Sequence, residues 1–590
     1  MISYQDKLQK NEIELNLLNR KINKIGFLRL VCVALFLITG YYSIKFKASL
    51  FLILLFCLLV AFLILIQYHS TLSFQKQLKK TLINSYKNEI IFLKREQIPF
   101  ENGVEFNNFK HQYANDLDIF GDNSLFQNLN RTATFIGKKT LANQLLKLLP
   151  TDEITKNQEA IAELSNKIDF RFEFLALASL SRDNKTIYEN LLKWKQSTAK
   201  SFSATSLYLL YLLPAFFWIS NCLYFYTNQS VYLSITSVIF VLNLTYVGTF
   251  LKRIKLEIND AENIAHFTKQ YVLLLEKIEN QNFESAKLLE LKAYLNFNSK
   301  NASLHLKKLS ELFSKLDTIS NFVVNLIFNS AFLYHIHVLK SLLNWKKKHA
   351  TALEDWLITI GNFEMLNSFA NFSYNNPTFV FPVLNNNYEI SFENLSHPLL
   401  NPKTRIGNTV DFQPQSFIIL SGSNMSGKST FLRTLGVNMV LAGVGAPICA
   451  SKANVHPLKV FASMRLSDSL SDNESYFYAE IKRLKLIMDN LENEKAFVLL
   501  DEILRGTNSD DKRNGTIEVI KKMIQKNAIG VIATHDIEVC LTTNDFPDQL
   551  KNNCFEVAII ENDLHFDYKL SGGICKNKSA TFLMKKMKII

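Results

Sequence analysis

Four long apolar runs interrupt a chain that otherwise reads as amphipathic helix. Phe27–Ile44 carries one charge, Arg29; Leu50–Ile66 has no polar side chain at all; Leu207–Tyr226 and Val231–Leu251 have no charge. A bilayer core takes about 20 helical residues, within a range of about 17–25. Each run therefore predicts a membrane-spanning helix. The alternative, a helix buried in a soluble core, is weakest for Leu50–Ile66, which leaves no face for water or a polar neighbour. The runs pair into two hairpins, with Lys45 and Lys47 in the first turn and Thr227, Asn228, Gln229 and Ser230 in the second. A hairpin returns the chain to the side it came from, so all the long segments share one compartment. Lys7, Lys10, Arg20, Lys21, Lys24, Lys76, Lys79 and Lys80 flank the first hairpin, and Lys193, Lys195, Lys200, Lys252, Arg253 and Lys255 flank the second. Cationic outer flanks put that shared compartment in the cytoplasm. The expectation is a multi-pass protein of the inner (cytoplasmic) membrane, with the N-terminus, helical core and C-terminal domain in the cytoplasm. A cleavable signal peptide is not expected, because a second span follows the first.

A fifth run, Ile319–Leu343, differs. Asn321, Asn325 and Asn329 recur every four residues and draw a polar stripe down one helix face, and His335, His337 and Lys340 add polarity. The pattern predicts one long amphipathic helix in a soluble bundle. His335 and His337, two positions apart, cannot face one metal from a helix. Residues 70–200 and 252–380 carry Leu, Ile and Phe at three-to-four spacing with few Gly or Pro, and predict helix nearly throughout. Asn385–Asn387 is a polar break and a domain boundary. Beyond it, short β-branched runs such as Phe417–Leu420, Phe497–Leu500 and Ile529–Ala533 alternate with helical segments, which predicts an α/β domain with a largely parallel sheet.

Composition narrows the classes. At 590 residues the chain is long enough for three or four units. Hydrophobic residues at 48% exclude a wholly disordered chain, and 18 glycines exclude a Gly-rich repeat. A net charge of +13 suits nucleic acid and an anionic membrane surface equally. The seven cysteines form no CxxC pair, so neither a disulfide framework nor a zinc site is indicated.

The chemistry is concentrated after residue 416. The predicted strand Phe417–Leu420 runs into Gly422-Ser-Asn-Met-Ser-Gly-Lys-Ser429 and then into a helical segment from Thr430. This is the G-x4-G-K-S pattern in its strand–loop–helix setting. Its glycines let backbone N–H groups curl round phosphates at a helix N-terminus. Lys428 is placed to reach the β- and γ-phosphates and Ser429 to ligate Mg²⁺. A second strand, Ala496–Leu500, ends in Asp501 and Glu502. Asp501 is placed to hold the metal and Glu502 to polarise the attacking water. A third strand, Gly530–Thr534, ends in His535, placed to sense the γ-phosphate. Leu570-Ser-Gly-Gly573 looks like the signature of an ABC transporter but follows His535, where that signature cannot serve; the Gly pair reads as a turn.

With these residues in place, the chain closely resembles the MutS mismatch-repair ATPase family. Ser421–Thr430, including Asn424 and Met425, looks like that family's phosphate loop. Asp501-Glu-Ile-Leu-Arg-Gly-Thr-Asn-Ser-Asp510 is similar to its acidic strand and the turn after it, and Ala533-Thr-His535 to its switch histidine. His397–Leu400 and Asn408 match the segment before the loop. Ser475–Glu480 resembles the segment that reaches the partner's ATP, so the resemblance implies that Ser475 acts in trans. Leu125–Arg131, with Thr134 and Gly137, looks like the opening of the family's core and lever region. The resemblance covers roughly residues 118–200 and 252–590. The family's mismatch reader carries an N-terminal domain with a Phe-x-Glu wedge; residues 1–117 hold a membrane hairpin instead, and a second hairpin interrupts the core helices.

The resemblance implies a multidomain protein with transmembrane helical hairpins, an all-α core and lever domain, and a C-terminal α/β P-loop ATPase domain of the ABC type. The expected units are a cytoplasmic helix (1–26), a transmembrane hairpin (27–66), a helical linker (67–117), the core and lever (118–384, interrupted by the second hairpin at 207–251) and the ATPase domain (385–590). The expected cofactors are ATP and Mg²⁺. Gly422, Asn424, Met425, Gly427, Lys428, Ser429, Thr430 and, in trans, Ser475 would bind the nucleotide. Ser429 and Asp501 would hold the metal, and Lys428, Glu502 and His535 would act in hydrolysis. A homodimer, the lipid bilayer and DNA are the candidate partners. Three functions remain open. One is a DNA-associated ATPase held at the membrane. Another is a membrane-remodelling or transport-coupled ATPase with no DNA role. The third is a non-catalytic scaffold, against which the intact catalytic set argues.

Overall fold

The computed structural model describes residues 2–46, 49–181, 183–197, 202–257, 261–297, 300–423, 425–465, 476–560, 563–575, 584 and 589. The first hairpin is built from two helices, Ile2–Phe46 and Ser49–Leu93, of 45 residues each. At 1.5 Å per residue each is about 68 Å long, more than twice a bilayer core of about 30 Å. The segment expected as a separate helix over 1–26 is thus continuous with the first apolar run. Near the open end the two helices are joined by polar links, Lys79 Nζ to Asn11 Oδ1 at 2.9 Å and Lys87 to Glu12 at 3.1 Å. The apolar runs bury almost nothing: Leu50, Ile53 and Phe56 are exposed. The second hairpin, Ala204–Thr227 and Ser230–Glu257, turns at Asn228 in the left-handed region, and Ser220 and Thr236 bridge its helices at 2.7 Å. These four helices are long and apolar enough to cross a membrane.

The expected helical linker ends early. Helix stops at Leu93, and residues 94–124 run as turns with one 3-10 segment, Val104–Phe106. Pro99 and the positive-φ glycines Gly103 and Gly121 are the breakers. Helix resumes at Leu125–Leu129, where Ser124 accepts a hydrogen bond from the Gln127 N–H.

Helices Phe135–Leu145, Thr151–Asn166, Ile168–Ser179, Lys185–Gln196, Ala261–Glu279 and Ala302–Asp317 pack with a long helix, Tyr334–Asn375, of 42 residues and about 63 Å. Trp356, Leu357, Ile360 and Phe363 of the long helix are fully buried. Thr134 caps Phe135–Leu145 and touches Glu364 of the long helix. Gly137, one turn in, is needed because a Cβ there would lie 2.1 Å from the Glu364 carboxylate.

Ile319–Leu343 is not one amphipathic helix. A helix over Phe322–Phe332 meets the long helix at an angle of 84°, with Leu333 at the break in the left-handed region. The Asn positions serve the break rather than a solvent face. Asn321 caps the short helix, and Asn329 accepts the His335 N–H at 3.0 Å, which stands in for an N-cap on the long one. Leu333 pays for its backbone conformation by complete burial against Leu210, Val247 and Ile336.

The C-terminal region has two sheets. The larger has six strands in the order Asp563–Gly572, Leu550–Ile560, Phe417–Gly422, Ile529–Thr534, Ala496–Asp501 and Lys459–Ser463. All neighbours are parallel except the edge pair Leu550–Ile560 and Asp563–Gly572. The smaller, mixed sheet joins Val383–Leu384, Lys452–Val455, Ile390–Leu395 and Asn408–Asp411. It already includes residues before Asn385–Asn387, which form a turn within it. Leu570–Gly572 is not a turn. These residues end the antiparallel edge strand, paired with Phe555, Cys554 and Asn553, and only Gly573 leaves it, at φ 103°.

Candidate functional site

Parallel pairing brings three strand ends to one edge of the large sheet. Ser421 lies beside Thr534, and Asp501 beside Ala533. The Gly422–Ser429 loop, the Asp501–Glu502 pair and His535 therefore emerge together, at the carboxyl edge where open α/β sheets bind ligands. Gly427 sits at φ 100° and starts the helix Lys428–Gly443. That backbone favours glycine, and a Cβ would also approach the Tyr568 ring to 3.1 Å. Gly422, Met425, Gly427, Lys428, Ser429 and Thr430 are placed on this loop or its helix. Asn424 and Ser475 lie outside the described residues.

The polar groups converge. Lys428 Nζ donates to the carbonyls of Gly422 at 2.7 Å and Ser423 at 3.0 Å, and stands 3.8 Å from Glu502 Oε1. Burial lowers the pKa of this ammonium, against the pull of Glu502 and Asp501. The Ser429 hydroxyl donates to Asp501 Oδ2 at 2.5 Å. Burial raises the Asp501 pKa despite that bond. Glu502 is the opposite case, with its pKa drawn down to about 2. His535 Nδ1, 3.5 Å from Oε1, is the largest cause; burial opposes it, and Lys428 and Arg505 add to the lowering. At 3.5 Å the imidazole contact is long, and Lys428, 3.8 Å from Oε1, and Arg505, 3.5 Å from Oε2, bring positive charge to the same carboxylate. The two neighbouring carboxylates thus differ, one held ionised by cations and one pressed toward neutrality by burial.

Backbone strain marks the same turn. Glu502 at φ 48° and Leu504 at φ 60° are non-glycine residues in the left-handed region, a cost of about 1–3 kcal/mol each. The Glu502 N–H donates to the Ala533 carbonyl at 3.0 Å. Glu480 accepts from the N–H groups of Leu504 at 2.8 Å and Arg505 at 3.1 Å. Glu480 closes the segment whose other end is Ser475, and its carboxylate serves its own chain by holding the turn.

A cavity of about 580 Å³ opens over the loop. Its lining combines the polar Lys428, Ser429, Thr430 and Glu502 with the apolar and aromatic Leu395, Ile406, Phe555 and Tyr568. Sequence reasoning missed the apolar and aromatic part of this lining. Tyr568 comes from the edge strand, 140 positions beyond Lys428, and is fixed by Asn408, which donates to the Tyr568 carbonyl at 3.1 Å and accepts the Leu570 N–H at 2.8 Å. Asn408 was the only local signal. His397 also lines the cavity; burial first and Arg433 second lower its pKa to about 4, so it is neutral at pH 7.

The donor set fits Mg²⁺. A serine hydroxyl and a carboxylate in contact are hard oxygen ligands, and Mg²⁺ is commonly held by one or two protein groups together with phosphate oxygens and water. Among the described residues no group of three His, Cys, Asp or Glu could hold an ion unaided.

Residues 418–588 match the family described as MutS domain V. The MutS protein homolog 4 of Mus musculus is 24% identical over 79% of this chain and 54% of its own length. The human MutS protein homolog 4 is 30% identical over 31% of this chain and 20% of its own. A DNA mismatch repair protein MutS from Methanococcoides burtonii is 31% identical over 32% of this chain and 22% of its own. The chain thus spans about half the length of the mouse relative and about a fifth of the other two.

Proposed function

Because this chain belongs to the MutS family, we propose that it is a membrane-anchored P-loop ATPase whose nucleotide cycle moves a helical lever, and that its ligand is DNA. The observation that carries the reading is the meeting of Lys428, Ser429, Asp501, Glu502 and His535 at one sheet edge. In this reading Lys428 exchanges its loop carbonyls for the β- and γ-phosphates of ATP. Ser429 and Asp501 hold Mg²⁺, which neutralises phosphate charge when bound. The ionised Glu502 orients the attacking water and accepts its proton, and His535 holds Glu502 in place. The aromatic surface of the cavity lining, at Phe555 and Tyr568, receives the base.

DNA as the ligand is supported by the relative from Methanococcoides burtonii, a DNA mismatch repair protein, and by the net charge of +13. Much of that charge flanks the apolar runs, where topology also explains it. A second reading, an ATPase that acts on the bilayer itself, is favoured by the contact of the long helix with the second hairpin at Leu333 and Ile336. Binding of homoduplex, mismatched and branched DNA to the chain in nanodiscs, over a salt series, separates the two. Phosphate contacts produce a steep salt slope; no binding at low salt leaves the bilayer reading.

The working unit in this proposal is a homodimer in the inner membrane, with the lever and ATPase domain in the cytoplasm. Ser475 of one copy closes the other's γ-phosphate. Mixing Lys428→Ala chains with Ser475→Arg chains then restores one complete site, and hydrolysis returns. Mixed dimers that form and stay inactive contradict the trans arrangement. An impermeant thiol reagent applied from outside should label a cysteine placed at Asn228 and spare one at Lys307. The reverse pattern overturns the topology.

A further inference from the structure

The short helix Phe322–Phe332 is hard to explain as part of a soluble bundle. Phe322, Val323, Ile327, Phe328 and Phe332 are all exposed, Phe322 by 75% and Val323 by 59%. A helix of 11 residues that leaves five large apolar side chains uncovered loses most of the stabilisation that burial gives. Its surroundings say what covers them. The helix packs on the second hairpin, where the Phe332 ring meets Trp218 with centroids 5.5 Å apart. The Asn243 side chain donates to the Ser330 carbonyl. Asn243 is eight residues inside the apolar run that ends at Leu251, a depth of about 12 Å at 1.5 Å per residue. Val241 and Leu242 beside it are exposed. The uncovered side chains of the short helix are thus continuous with those of the hairpin, and a soluble partner could reach them only by entering the same apolar band.

The segment does not cross that band. The helix before it, Ala302–Asp317, and the long helix after it share one core, in which Trp345 Nε1 donates to the His305 carbonyl at 2.9 Å and Leu316 is buried with Leu339 and Leu342. The chain therefore goes in at Asn321 and returns at Tyr334 on the same side. Lys252 and Lys255 follow the apolar run that ends at Leu251, Lys315 precedes Asn321 by six residues, and all three are exposed. Cations there suit the anionic headgroups of a cytoplasmic leaflet. The three Asn positions fit as well. Inside a bilayer the polar groups at a break are best satisfied internally; Asn329 bonds to Asn325 and to the His335 N–H, and the Asn243 amide covers the Ser330 carbonyl while its own Oδ1 has no partner.

We propose that Phe322–Phe332 is a half-inserted, lipid-facing helix of the cytoplasmic leaflet, by which the long helix grips the bilayer directly rather than only through the hairpins. The proposal rests on the membrane-anchored reading above and deepens it: the lever's contact with lipid is a wedge at its own N-terminal elbow.

Nitroxide labels test it in the full chain reconstituted in nanodiscs containing anionic lipid. Cys57, Cys222 and Cys575 are replaced and the buried Cys32, Cys449, Cys540 and Cys554 kept. Single cysteines are placed at Val323, Ile327, Val241 and Lys307, and collision with oxygen is compared with collision with a water-soluble nickel chelate. The expected result is oxygen accessibility several-fold above nickel accessibility at 323, 327 and 241, and the reverse at 307. Nickel access at 323 and 327 with lipid-like values at 241 overturns the wedge and leaves the membrane reading standing. Low access to both reagents at 323 and 327 overturns it in favour of a covering protein. Nickel access at 241 as well overturns the membrane reading itself. ATP turnover by each labelled chain, compared with the unlabelled one, identifies any variant that has lost its fold, and such a site is moved to Phe328.

Discussion

The two hairpins are fastened to opposite ends of the same long helix, by contacts of different balance. At the C-terminal end a buried polar network stands beside the ring contact of Tyr4 with Tyr374. Glu89 of the first hairpin is buried, pairs with Arg131, and accepts from Asn371 at 2.9 Å and Asn375 at 3.1 Å. Tyr4, from the other helix of that hairpin, donates to Asn375 at 2.8 Å, and Arg171 donates to Asn371 at 2.6 Å. At the N-terminal end the seat is mainly the apolar cluster Leu210, Val247, Leu333 and Ile336, with Lys340 donating to the Tyr211 hydroxyl at 3.0 Å. A buried hydrogen-bonded network is directional and fixes one register; an apolar contact is not directional and permits sliding. In the proposed cycle the first hairpin is the better fixed of the two, and any movement of the long helix falls at the elbow beside the second.

The largest expected effect belongs to the proposed hydrolysis step. Glu502→Gln should slow ATP hydrolysis by about 100- to 10,000-fold while ATP stays bound, measured as phosphate release against nucleotide retention. Full turnover by this variant would remove Glu502 from the chemistry. Next comes the polar seat. Glu89→Ala leaves the Arg131 guanidinium buried without its carboxylate, a loss of about 3–5 kcal/mol, read from unfolding of the full chain in detergent. A loss near zero would mean that the first hairpin is not locked by this network.

The candidate site was largely legible because its chemistry sits on short stretches at strand ends. Gly422–Ser429, Asp501–Glu502 and His535 need only parallel pairing to meet. Four apolar helices were legible for the same reason, since length and composition are local. The elbow was not. Its break falls at Leu333, with no Gly or Pro to announce it, and is held by Asn329 and by residues more than 80 positions away. The Asn repeat was real, but the polar side chains satisfy one another at a kink instead of facing water. Glu89 with Arg131, Thr134 with Glu364 and Asn408 with Tyr568 are likewise tertiary pairings without a local pattern. Residues 94–124 carried breakers at Pro99, Gly103 and Gly121 that helical spacing outweighed in the reading.

Smaller effects separate the two seats further. Glu364, on the long helix between them, is fully buried, and desolvation raises its pKa to about 7 against hydrogen bonds from Ala133 and Thr134. The folded chain therefore keeps a proton that the unfolded chain releases near pH 4.5. Stability should fall as pH rises from about 4.5 to about 7 and level off above, by linkage. Glu364→Gln should flatten that slope in a series of melting temperatures; an unchanged slope would assign it to other groups. The smallest effect is at the elbow. Asn243→Leu removes one side-chain hydrogen bond within the apolar band, worth about 0.6 kcal/mol and at most about 1.7. A loss as large as that at Glu89 would erase the contrast between the seats.

The central claim is that nucleotide at the Lys428–Glu502 site moves one hairpin relative to the other. It is tested by the distance between spin labels at Lys45 and Asn228, the turns of the two hairpins, in Glu502→Gln chains diluted with unlabelled chains in nanodiscs. With ATP bound, the distance distribution should shift from that of the ADP state, because the elbow yields while the polar seat holds. Superimposable distributions in the ADP and ATP states, with ATP demonstrably bound, would contradict the account.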